Sequence, residues 1–168
     1  MMGAPSFLAR FWADRRGVAA AEMALVTPML MILMFGSFEL ARYFLDEHVV
    51  VKAVRDGARY AGRLGFSDFT CASASAGAQQ AIREITRTGA LGGTTPRLGY
   101  WTSPTTITVS VTCDTSGAYS GIYNGVAMGA PVVTVSASVP YVSLFGMVGF
   151  DTTGLALNAS SESPVMGI

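Results

Sequence analysis

The chain has 168 residues, 51% of them hydrophobic and only 13% charged, with 11 basic residues balanced by 11 acidic ones. A soluble domain carries about a quarter charged residues, so this composition points to a membrane or assembly protein, and zero net charge gives no argument for a nucleic acid partner. The length suits one anchor plus one small globular domain.

The charges are ordered along the chain. Arg10, Arg15 and Arg16 precede a long apolar run with only Asp14 against them, which predicts a cytoplasmic N-terminus. Everything after the run is then exported, including Cys71 and Cys113, to a compartment where disulfides persist. Met23 to Phe38 is free of charge and makes about 24 Å of helix, short of the roughly 30 Å hydrocarbon core. Counting from Val18 to Phe38 gives roughly 32 Å, enough to span provided that Glu22 is tolerated. The span is therefore read from Val18 through Pro28 to Phe44, and it depends on Glu22 having a partner. A secretory signal fits less well, because Phe38 and Glu39 stand where a cleavage site wants small neutral residues. A buried helix of a soluble protein leaves the basic flank unexplained. Pro28 inside the run costs a backbone hydrogen bond, and a nearby Thr27 hydroxyl is the expected compensation.

Gly17, then four small apolar residues and Glu22, looks like the processing site of type IV-related prepilins. The longer stretch from Gly17-Val-Ala-Ala-Ala-Glu-Met-Ala-Leu-Val-Thr-Pro through Phe44 closely resembles the TadE-like minor pilins, or pseudopilins, of the bacterial tight-adherence (Tad/Flp) pilus. The resemblance covers roughly Arg16 to Arg59. It implies that an inner-membrane prepilin peptidase cuts between Gly17 and Val18, so that Val18 becomes the first mature residue and Glu22 the fifth. In such pilins that glutamate pairs with a free N-terminal amine, in its own subunit or a neighbour, and sets the register of packed helices. Glu22 simply reaching the interface is the bland alternative. The exported part is larger than in many short pilins of this system, which favours a minor component over the bulk filament subunit.

Beyond the membrane the helix is expected to continue to about Arg63, with Val51, Val54, Ala58 and Ala61 on one arc and Asp56 pairing with Arg59. Gly62 and Gly65 bracket its end. A second helix reads from Ser75 to Arg87, with Ala78, Ala81, Ile82 and Ile85 on one side. Residues 105 to 113 alternate strictly, as do Val132 to Val139, and Leu155 to Ser161 is a weaker third strand. The predicted fold is α+β: a long N-terminal transmembrane helix leading into a small domain with a second helix and an antiparallel sheet of about three strands. The predicted divisions are a leader at 1–17, a helix at 18–63 and a domain at 64–168. Cys71 and Cys113 are expected to pair, with reduced thiols or an intermolecular bridge as alternatives. Tyr100, Trp101, Tyr119 and Tyr123 either form contacts or cap a thin core. The apolar connection Val142 to Phe150 could dock on another subunit or touch the membrane.

Nothing in the pattern argues for an enzyme. His48 is the only histidine, so nitrogen and sulfur metal sites have too few ligands, and no nucleophile or phosphate-loop motif is formed. No metal or other cofactor is expected. The expected partners are other pilin subunits through helix packing, inner-membrane pilus assembly proteins and the peptidase. The rival reading is an uncleaved single-pass protein whose exported domain binds an envelope partner or ligand.

Overall fold

The structure is a computed structural model that describes residues 16–117, 121–148, 152 and 154–167. It contains a helix α1 (Arg16–Ala61), a helix α2 (Ala76–Thr88) and strands β1 (Ile107–Asp114), β2 (Ala130–Pro140) and β3 (Ala156–Pro164). The chain divides into two compact units, Met1–Ala41 and Arg42–Ile168. The described part of the first is α1 alone; the second holds the remainder of α1 and every other element.

The second unit is an α+β domain. β1, β2 and β3 lie side by side in that order, both neighbouring pairs antiparallel. Alternation in the sequence becomes alternation of faces: Ile107, Val111, Val133, Val135, Ala137, Val139 and Leu157 are buried, while Thr108, Ser110, Thr112, Asn158 and Ser160 face outward. Register places Thr108, Ser136 and Ser160 in one row and Ser110, Thr134 and Glu162 in the next. The outer face is thus a hydroxyl-rich surface that water solvates without a covering layer.

Both helices supply the other side of the core. From α1 come Val50, Ala53, Val54, Ala58 and Ala61, and from α2 come Ala78 and Ile82. The buried arc of α1 is rotated by about one residue from the predicted one: Val51 is half exposed, and Val50 and Ala53 take its place. At 3.6 residues per turn two neighbouring arcs satisfy the same short apolar pattern, and only the facing sheet selects between them. On α2, Thr86 is fully buried, whereas Ala81 and Ile85 are half buried.

Element ends follow local chemistry. α1 stops at Ala61 rather than Arg63, with the Gly62 amide closing the last turn on the Ala58 carbonyl at 2.9 Å. Ser75 caps α2 instead of belonging to it, its hydroxyl accepting from the Ala78 amide at 3.3 Å. Gly89 ends α2 in the left-handed region at φ 89° and donates to the Ile85 carbonyl, a conformation that disfavours a side chain. Cys71 and Cys113 form a disulfide, with their Cα atoms 5.1 Å apart. It ties the segment before α2 to the end of β1.

The long connection from α2 to β1 is also fastened to α1. Arg97 donates to Asp56 at 2.7 Å, and the Tyr100 hydroxyl donates to Asp46 at 2.8 Å. Asp56 therefore pairs with Arg97 and not with Arg59. The two sides of that pair are 18% and 31% exposed, so the contact is better shielded than a surface pair along one helix. Trp101 is buried, its indole N–H donating to Thr106 at 2.7 Å, and Tyr123 meets Phe66 edge to face at 6.0 Å. Trp101 and Tyr123 thus act in packing. Tyr119 and Phe150 lie outside the described residues.

Candidate functional site

The functional feature to be explained is the N-terminal portion of α1. Between Val18 and Phe38 its large apolar side chains are exposed on every side: Leu25 is 78% exposed and Ile32 70%. A helix apolar all round needs an apolar environment, supplied by a large core or by lipid. Gly17–Ala61 includes a stretch of mean hydropathy 2.0 of which none is buried within the chain. That is compatible with a single-pass membrane helix.

Gly17 and Val18 lie in the first described turn of α1, and a side chain added at Gly17 would enter open space. Gly17 is thus sterically free to be something larger. Glu22 lies one turn beyond Val18 on the same helix and is exposed. Among the described residues it forms no ion pair within the chain. The helix already includes Arg16, so Glu22 is past the first turn, where the helix dipole acts, and gains little from it. A full counter-charge is the stronger candidate partner.

Pro28 sits inside the helix without ending it. The carbonyl deprived of its donor is that of Ala24, four residues earlier. Thr27 does not repair it, for its hydroxyl donates to the Met23 carbonyl at 2.6 Å. The expected compensation is therefore misplaced by one residue. Ser37 makes similar bonds, to Leu33 at 2.6 Å and Met34 at 3.0 Å. Both hydroxyls are thus satisfied by their own helix and need no water, which suits an apolar surrounding.

Phe44, the far end of the predicted span, belongs to the second unit, where it is 49% exposed and meets Tyr43 edge to face at 6.0 Å. Cys71 and Cys113 are remote from Gly17 in sequence and serve the domain's covalent framework. Among the described residues, no group of three or more His, Cys, Asp or Glu side chains gathers as a metal site would require. Sequence reasoning passed over Gly57, whose environment shows it to be a helix-crossing residue. Ala53, Gly57 and Ala61 at four-residue spacing were the available signal, since small residues in that pattern let two helices approach closely.

Residues 17–59 match the family model of TadE-like protein. No curated protein and no solved structure matches the chain. The matched segment is α1 almost entire and includes none of the elements after it. It is consistent with a TadE-like protein associated with the Tad pilus system.

Proposed function

We propose, with the TadE-like match of residues 17–59 as premise, that the chain is a non-enzymatic minor pilin or pseudopilin of a Tad/Flp pilus. In this reading a prepilin peptidase cuts between Gly17 and Val18, and the mature subunit acts in assembly or at the base or tip of a filament used for surface adhesion. It sits in the bacterial inner membrane with its C-terminal domain periplasmic until it joins the pilus. The observation that carries the reading is α1 itself: a bare apolar helix whose single early carboxylate, Glu22, is one turn from the residue that cleavage would expose.

The chemistry supplies the mechanism. A lone carboxylate at mid-helix in a bilayer costs about 3 kcal/mol. An ammonium about 4 Å away returns roughly 4 kcal/mol at an effective dielectric near 20. Cleavage creates such an ammonium at Val18. A neighbouring helix that offers its amine to Glu22 is thereby held at one axial position, because a shift of one residue moves the charges apart by about 1.5 Å. The apolar surface around Glu22 provides helix packing, and the charge pair provides register. A disulfide in the C-terminal domain fits an oxidising compartment.

The test is the mass and N-terminal sequence of the chain recovered from membranes of cells with and without prepilin peptidase activity. A terminus at Val18 that requires the peptidase supports the reading. Recovery of the uncut chain from cells with active peptidase overturns it in favour of a single-pass protein whose domain binds an envelope partner.

A further inference from the structure

We propose that the surface made by Val142, Leu144 and Leu155, beside the buried Tyr141, docks onto the phospholipid headgroup layer of the bilayer that α1 crosses. The inference rests on the reading of α1 as a membrane span. Val142, Leu144 and Leu155 are 49%, 45% and 48% exposed. Among the described residues, the other large apolar side chains exposed after α1, Leu91, Ile122 and Met166, lie apart from them along the chain. The patch is organised: the Tyr141 amide donates to the Leu155 carbonyl at 2.9 Å, which brings the two ends of this connection together. Residues 140–150 contain no charged side chain.

What selects lipid over other occupants is the tether. The Tyr141 ring meets Tyr43 of α1 edge to face, with centroids 5.2 Å apart. Tyr43 follows the last residue of the charge-free run, Phe38, by about 7.5 Å of helix, and by no more than about 18 Å of fully extended chain. The headgroup layer is about 5–7 Å thick on each side of the hydrocarbon. Chain connectivity alone thus holds Tyr43, which adjoins Phe44 at the far end of the predicted span, and the patch fastened to it, at the bilayer surface. Tyr43 is half-buried, aromatic and amphipathic, the side-chain type enriched at that level, and the buried Tyr141 fastens the patch to it. An apolar patch held there meets lipid before it meets a diffusing partner.

The test places single additional cysteines, labelled with bimane, in the full chain reconstituted in phosphatidylethanolamine and phosphatidylglycerol vesicles containing nitroxide-labelled phosphatidylcholine. Leu144→Cys and Val142→Cys report on the patch. Glu162→Cys is exposed on β3, next to Ser163, which lies against Gly62 at the other end of the domain portion of α1, and serves as the distant control. Leu30→Cys reports on the span. Formation of the native disulfide and an unchanged far-ultraviolet spectrum certify each variant. Shallow nitroxides should quench either patch label at least threefold more than the label at 162, with the label at 30 quenched best by deep nitroxides. Equal quenching at the patch and at 162, with 30 still quenched, overturns the docking and leaves the span intact. No quenching at 30 overturns both. Protection of the patch that appears only as the protein-to-lipid ratio rises overturns it in favour of contact between copies of the chain.

Discussion

Gly57 of α1 lies directly against Thr86 of α2, so close that a Cβ at Gly57 would collide with the Thr86 hydroxyl. Thr86 is fully buried, and its hydroxyl is held in place by a 2.7 Å bond to the Ile82 carbonyl. The two helices therefore cross at a point where one has no side chain and the other has a fixed one. Gly57→Ala should destabilise the domain by about 1–3 kcal/mol, the usual cost of overpacking. Thr86→Ala combined with Gly57→Ala should recover much of that loss, because the colliding hydroxyl is gone. Thermal unfolding of the single and double variants checks the coupling, and strictly additive losses would refute the contact.

The disulfide encloses a loop with a sequence separation of 42 residues. In the chain-entropy picture, removing such a link costs roughly 4 kcal/mol. For a domain whose described residues form three strands and one short α-helix beside α1, that is a large part of the stability available. The expected result for Cys71→Ser with Cys113→Ser is a domain that is largely unfolded or rapidly proteolysed at growth temperature. Limited proteolysis of the membrane-bound chain measures this; unchanged resistance would show that the core alone suffices.

Tyr100 is expected to make the domain sensitive to alkali. Burial raises the pKa of its hydroxyl above the ordinary value, and the hydrogen bond to Asp46 and that residue's charge raise it further; Tyr141 adds to the rise and Arg42 opposes it. A folded-state pKa above the unfolded one means the contribution is complete below about pH 10, the unfolded value, and declines as the pH rises beyond it. Tyr100→Phe should lose about 1–3 kcal/mol at neutral pH with the bond to the carboxylate. It should also show a shallower fall in stability above about pH 10 than the native chain. A parallel fall in both proteins would assign the alkaline loss elsewhere.

Glu22→Ala separates processing from assembly. Glu22 is exposed on α1 and supports no fold contact among the described residues. Its loss should leave cleavage after Gly17 largely intact and sharply reduce incorporation into filaments. Immunoblotting of membrane and sheared-pilus fractions reads both effects together. Normal piliation would remove the charge pair from the account.

The long apolar helix was legible because its signal is compositional: a charge-free run, a basic flank and one early carboxylate survive any change of context. The strands were legible for a related reason, since alternation of Ile107, Val109 and Val111 with Thr108 and Ser110 follows from the pleat itself. Partners were less accessible. Asp56 and Arg59 satisfy helical spacing, yet Asp56 turns to Arg97, delivered by the connection after α2. Thr27 is adjacent to Pro28, yet its hydroxyl goes to the Met23 carbonyl. In both cases the residue type was right and the neighbour wrong.

The amino-acid order by itself determined that a long apolar helix exists and where the strands run. These follow from backbone periodicity and local hydropathy, which each segment carries within itself. Tertiary structure alone decided which arc of α1 is buried, that Gly57 receives Thr86, and that Tyr43 and Tyr141 come together across nearly a hundred residues of chain. Those are contests among several chemically acceptable neighbours, and closing the core around one fixed sheet register settles them.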